Sequence, residues 1–69
     1  MSAPLTNLVH RAGYESFRFL DGLNGRPFTV IQTGRAGSKT YQYTVDVPQD
    51  VARRLHAELL AIGYRPATV

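Results

Sequence analysis

Few residues of this 69-residue chain could do chemistry. His10 and His56 are its two imidazoles, each able to act as acid or base near neutral pH. Neither has an acidic partner forced on it by spacing, so a catalytic pair is not expected. Ser38 lacks the Gly-x-Ser-x-Gly setting of an activated nucleophile, and Gly34-Arg35-Ala36-Gly37-Ser38-Lys39 has neither the length nor the spacing of a phosphate-binding loop. The absence of cysteine excludes disulfides and thiolate metal sites, and two histidines far apart in sequence do not suffice for a metal centre. The expectation is a protein that is not an enzyme and needs no cofactor.

Charge is the more informative feature. Eight basic and five acidic residues give +3. From Gly22 to Val45 the only charged residues are Arg26, Arg35 and Lys39, whereas basic and acidic residues cancel on both flanks. The excess therefore falls on a segment that reads as two strands and their loop, which suits an anionic partner. The site this predicts is a basic β-hairpin with Arg35 and Lys39 on phosphates, Arg26 and Arg18 in support, and Ser38 as a neutral donor. The corresponding function is a small nucleic-acid-binding accessory protein. An ordinary solvated hairpin has the same composition, and three charges neutralise only about three phosphates unless a dimer doubles the footprint. The rival is a protein-interaction module, an inhibitor or adaptor of the sort mobile elements carry. It would use Leu60 and His56 on a helix surface, or an exposed sheet face or edge.

The elements that position these residues follow from periodicity. Thr40, Gln42, Thr44 and Asp46 alternate with Tyr41, Tyr43, Val45 and Val47, the pattern of a half-buried strand. Tyr41 and Tyr43 read as core beneath a helix, with a base-stacking platform as the alternative. Pro48 ends the strand and opens a helix, and Asp50 in its first turn faces the positive end of the macrodipole. Val51, Ala52, Leu55, Leu59 and Ile62 share an arc of about 100°, the stripe of a helix packed on a sheet. Gly63 reads as a positive-φ cap that folds Tyr64 back onto Leu59.

Upstream, Tyr14 to Leu20 and Phe28 to Thr33 read as strands, with Gly34 to Lys39 as the loop after the second. Leu5, Leu8, Val9 and Ala12 fall at helical spacing, with Pro4 at the start and Gly13 at the end, so a short helix is expected there, with a frayed arm as the alternative. The expected fold is α+β: a three-stranded antiparallel sheet, a C-terminal helix on one face and a short N-terminal helix, in the order α-β-β-β-α. It forms one domain over 1–69, with 1–13 as helix or arm, 14–47 as sheet, 48–63 as main helix and 64–69 as tail.

That order resembles the double-stranded RNA-binding domain over most of the chain. The resemblance is topological: Pro48-Gln49-Asp50 stands where that family starts its second helix with a lysine cluster. Phe17 to Gly22, Gly25-Arg26-Pro27-Phe28, Gly34-Arg35-Ala36-Gly37 and Gly63-Tyr64 resemble the WGR domain, a nucleic-acid-associated module, with Thr33 in place of its defining tryptophan. No functional residue carries over from either.

A chain this short buries only about 60% of its unfolded surface, so its core needs a supplement. Without disulfides or metal the remaining supplement is self-association, and a homodimer is the expected form. No apolar run approaches the ~18 residues that span a bilayer, and the N-terminus does not read as a signal peptide. The expectation is a soluble cytoplasmic protein with no membrane partner.

Overall fold

The polar–apolar alternation that begins near Thr40 becomes the longest ladder of the protein. In the computed structural model, which describes residues 5–67, strand β3 (Phe28–Ala36) pairs antiparallel with β4 (Lys39–Val47), from Phe28↔Val47 to Ala36↔Lys39. The loop expected over Gly34 to Lys39 is therefore shorter than its composition suggests, because both strands continue into it. Only Gly37 and Ser38 remain as a two-residue turn, with the positive φ of 65° at Gly37 that a type II′ hairpin places at its first position. Gly34 keeps the ladder intact for a steric reason: the Tyr41 ring lies over it, where a β-carbon would collide.

Strand β2 (Glu15–Leu20) adds to the other side of β3, with Phe17 opposite Gln32 and Phe19 opposite Val30. The expected N-terminal helix is not formed. Leu8 and Val9 are instead strand β1 (Leu8–Val9), antiparallel to β2. A helix of about nine residues has little stability of its own, whereas the strand supplies hydrogen-bond partners to the edge of β2 and buries Leu8 completely. Asn7 extends the pairing with its side chain, whose Oδ1 accepts from the Phe19 amide at 3.1 Å. Gly13, read as a helix cap, has positive φ in a different motif. Its amide donates to the His10 carbonyl at 2.7 Å in the turn between β1 and β2. Pro4 lies outside the described residues.

Helix α1 (Gln49–Ala61) follows β4 directly. Gln49 ties its start to the β2–β3 loop through the Arg26 carbonyl at 3.0 Å. Its end is the expected cap: the Gly63 amide donates to the Leu60 carbonyl and the Tyr64 amide to the Leu59 carbonyl, with Gly63 at φ 111°. These are the paired bonds of a Schellman motif, and Tyr64 and Leu59 join one buried cluster. The cap aims the chain back across the sheet. Arg65 and Pro66, expected as tail, form strand β5 (Arg65–Pro66) against β1, extended by the Ala67 amide donating to the Asn7 carbonyl at 2.7 Å. The result is one five-stranded antiparallel sheet in the order β4-β3-β2-β1-β5 with one helix, an α+β fold with two more strands and one fewer helix than expected.

Cross-strand partners share a face, so the register defines the helix-covered inner face: Leu8, Phe17, Phe19, Phe28, Val30 and the Tyr41, Tyr43, Val45, Val47 row. Leu8, Phe19, Phe28, Val30, Ala52, Leu59 and Tyr64 are its buried core, with Leu5, Phe17, Val47 and Leu55 against them. The helix covers less of this face than its apolar stripe implies. Ala52, Leu55 and Leu59 turn inward, but Val51 is exposed and Ile62 is 73% exposed. His56 explains the rotation. Its Nε2 reaches the Thr6 carbonyl at 3.0 Å, which requires the proton on that nitrogen, and its ring meets Phe19 edge-on at 5.1 Å. This contact holds the helix toward β1, and its sheet contacts are chiefly with β1 and β3. Of the β4 row only Val47 is packed on the core. Tyr43 is 63% and Val45 54% exposed, so Tyr43 is not the core residue its alternation suggests.

Tyr64 closes the inner face. Its ring meets His10 and Phe17 edge-on at 5.2 and 5.5 Å, and its hydroxyl donates to Glu15 at 3.4 Å. Burial, reinforced by the Glu15 charge and hydrogen bond, raises the Tyr64 phenol above its ordinary value of 10.0. The folded state thus holds this proton more tightly than the unfolded chain. The stabilisation is complete below pH ~10 and is lost as pH rises through the folded value. Urea midpoints are expected to fall above that pH in the wild type, and to fall less steeply in Tyr64→Phe. The strand assignment of the N-terminal segment is tested by Leu8→Ala, expected to cost about 2–5 kcal/mol in chemical denaturation. Leu60→Ala, at an exposed helix position, is expected to change stability by no more than about 0.5 kcal/mol.

Candidate nucleic-acid interface

The period-two geometry of β2 places Ser16 and Arg18 on the outer face, opposite the helix. Pairing then carries that face across the sheet. Arg18 opposes Ile31, Ser16 opposes Thr33 and Val9, Arg35 opposes Thr40, and Val9 opposes Arg65. Three arginines from three strands, Arg18, Arg35 and Arg65, thereby share one helix-free surface. Strand geometry spaces their Cα atoms by roughly 10–15 Å. Among the described residues none of the three has a carboxylate in ion-pair contact. Asp46 is the only acidic residue this register places on the outer face. It lies at the far corner of β4, where it accepts a hydrogen bond from the Thr29 hydroxyl at 2.8 Å.

Beside Arg35 lies a shallow depression of about 350 Å³, bordered also by Val9, Tyr14, Ser16, Thr33, Thr40 and Glu15, whose carboxylate is held by Gln32 and Tyr64. The backbone fixes its rim, since the Arg35 amide donates to the Tyr14 carbonyl at 3.1 Å just beyond the last β2–β3 pair. Tyr14 is 61% exposed, with its ring loosely stacked on His10 at a centroid separation of 6.3 Å. Ser16, Thr33 and Thr40 add neutral hydroxyls. The site thus combines cations, hydroxyl donors and an accessible aromatic face, the groups that meet phosphates and unpaired bases.

The residues expected to act together are dispersed by the fold. Arg35 and Lys39 sit on adjacent strands, but their register puts Arg35 on the outer face and Lys39 in line with the inner one. Ser38 is in the turn between them. Arg26 is in the β2–β3 loop at the opposite end of β3, about 25 Å from the hairpin turn at 3.3 Å per residue. Arg18 lies at mid-sheet on the same outer face as Arg35, which is one residue from the hairpin end of β3. Leu60 is exposed on the helix, whereas His56 is committed to Thr6 and Phe19 and does not form a free surface with it.

Tyr14, at the depression, and Arg65, on the same outer face, were not among the expected site residues. Tyr14 was within reach of the sequence, because extending the Ser16–Arg18 alternation back by two residues places it on the same face. Arg65 carried no such signal, since its position depends on β5 pairing with β1. Among the described residues no group of three His, Asp or Glu side chains could hold a metal ion, and no helix is long and apolar enough to cross a membrane. No protein-family model, curated protein or solved structure matches the chain.

The exposure pattern of the tyrosines is directly measurable. Under limiting nitration with tetranitromethane, Tyr14 and Tyr43 are expected to react first and Tyr64 last, as read by peptide mass spectrometry. Early modification of Tyr64 would contradict the packing described above.

Proposed function

We propose that this protein binds single-stranded nucleic acid across the outer face of its sheet. The observation that carries the reading is the placement of Arg18, Arg35 and Arg65 on one outer face, with Arg35 and Tyr14 at the depression. Asp46, the acidic residue that the register puts on this face, already serves Thr29, and Glu15, which also borders the depression, is held by Gln32 and Tyr64. Arg18 and Arg35 contact phosphates, Arg65 extends the track beyond β1, and Tyr14 stacks on a base. An open sheet suits an unpaired strand because its bases can lie flat on an aromatic ring, worth about 1–3 kcal/mol per base. Lys39 and Arg26, at the hairpin end and the opposite end of β3, add to the general attraction and do not grip the bound strand. The role this supports is that of an accessory binding protein, with affinity set by charge and stacking and little base readout.

Fluorescence anisotropy with labelled single-stranded DNA, single-stranded RNA and duplex tests this. Binding to single strands is expected, with log affinity falling with log salt at a slope of about −2 for three phosphate contacts, roughly a 15- to 20-fold loss between about 50 and 200 mM. Arg18→Glu with Arg35→Glu is expected to abolish binding. Tyr14→Ala is expected to weaken it by about 5- to 100-fold with little change in salt slope, and Lys39→Glu to have the smaller effect of a peripheral charge. Equal affinity for duplex with no effect of Tyr14→Ala would replace the stacking mode by simple phosphate attraction. No binding at low salt would refute the function.

A further inference from the structure

The two edges of the sheet are finished differently. β5 is two residues long and contains Pro66, which cannot donate to another strand. β4 is nine residues long, without proline and without a break in its register. In the β3–β4 ladder, with its two-residue turn, the residues bonded to β3 alternate with residues whose amides and carbonyls point away from it. The Arg35 amide, which bonds Tyr14 on β2 and not Thr40 on β4, sets the phase. The outward-pointing groups of β4 are therefore those of Thr40, Gln42, Thr44 and Asp46. Beside this open ladder Tyr43 and Val45 expose large apolar side chains on the inner face.

We propose that β4 is a self-pairing edge, on which a second copy of this chain docks antiparallel about a two-fold axis through Tyr43. Tyr43 is the central residue of β4, so this axis pairs the strand over its whole length, Lys39 with the partner's Val47 and onward. Even-numbered residues meet even-numbered ones, which places Gln42 opposite the partner's Thr44 and Thr40 opposite the partner's Asp46, with their free backbone groups facing. The side chains match on both faces. On the inner face Tyr43 meets the partner's Tyr43, and Tyr41 meets the partner's Val45, aromatic and β-branched pairs of the kind that stabilise sheets. On the outer face each pair has a donor and an acceptor. The charges are also placed well. The two copies of Lys39 lie at opposite ends of the interface, about 25 Å apart, and the two copies of Asp46 about 20 Å apart, so no like charges meet. Sliding the register by one residue breaks the match of faces, and sliding by two leaves residues at both ends unpaired.

The dimer is a ten-stranded sheet with both helices on one side and a trough between them lined by Tyr41, Tyr43 and Val45 of each copy. Covering these side chains gives the small domain the apolar burial that its own helix leaves incomplete. The outer faces become one surface with the arginines of both copies, although the pairing itself does not depend on nucleic-acid binding.

Sedimentation velocity and light scattering across the micromolar range test the pairing. The wild type is expected at twice its 7.7 kDa mass. Thr44→Pro, which removes an outward amide and leaves the β3 ladder intact, is expected at 7.7 kDa with an unchanged circular dichroism spectrum. Tyr43→Asp, which sets like charges across the axis, is expected to behave the same way. A readout that needs no loss of function uses the absence of cysteine. Facing residues at the axis form a non-hydrogen-bonded pair with Cα atoms about 4.5 Å apart, within disulfide reach. Tyr43→Cys is therefore expected to give a covalent dimer on mild oxidation, and Ser38→Cys, far from the axis, to give little. A monomeric wild type, a dimer that persists in both Thr44→Pro and Tyr43→Asp, or cross-linking of Ser38→Cys as fast as Tyr43→Cys would each overturn the proposal.

Discussion

A helix of thirteen residues is about 20 Å long, and five strands at ~4.8 Å spacing make a face of comparable width. One such helix, ~10 Å across, cannot cover that face, so its path across the sheet decides what stays in water. Two attachments set the path. Pro48 starts the helix at the end of β4, and the Gly63 cap delivers Tyr64 and β5 to β1 at the other side. The helix must therefore run obliquely from one edge region to the other, and the hydrogen bond of His56 to Thr6 holds it toward β1. Leu8, Phe19, Phe28 and Val30 are buried beneath it, while Tyr43 and Val45 lie beyond its reach. The protein is elongated, 39 Å against 21 Å in each of the other directions.

The two faces of the sheet consequently have different chemistry. The inner face carries the core, which includes Tyr64 and the aromatic rings around it, with Glu15 held by Gln32 and Tyr64 so that its carboxylate is not left unpartnered. The outer face bears no helix and carries arginines from β2, β3 and β5, with Tyr14 and hydroxyls beside that of β3. No long side-chain network is needed for this arrangement. It follows from strand parity and pairing, which send residues of widely separated sequence position to the same side. The edge at β4 is the third distinct surface, and the two proposals use different parts of the molecule: the outer face for an anionic strand, the edge and the uncovered inner row for a second copy.

Much of this architecture is legible residue by residue. The alternation through Val47, the stop at Pro48, the helix that follows and its closure by Gly63 and Tyr64 all rest on local rules of period and backbone conformation, and each appears where those rules place it. Arg18 is also legible as an outward residue, since Phe17 and Phe19 commit its neighbours to the core. Other features are ambiguous locally. Leu5, Leu8, Val9 and Ala12 satisfy a helical spacing, yet the segment is too short to be stable as a helix and is claimed by the edge of β2. The glycines at 34 and 37 suggest a loop, yet Gly34 serves to admit the Tyr41 ring inside a continuous strand.

By itself, then, the amino-acid sequence determined the strand periods, the helix and its cap, the surplus of positive charge and the lack of cysteine thiols, because all of these depend on residue type and near neighbours. Only the tertiary structure decided which charges share a surface. It separated Lys39 and Arg26 from Arg35, brought Arg65 to the side of Arg18, and left Tyr43 and Val45 in solvent. The physical reason is that these outcomes depend on cross-strand register and on the limited span of a single helix. Both are settled by contacts between residues tens of positions apart, to which a local pattern along the chain is blind.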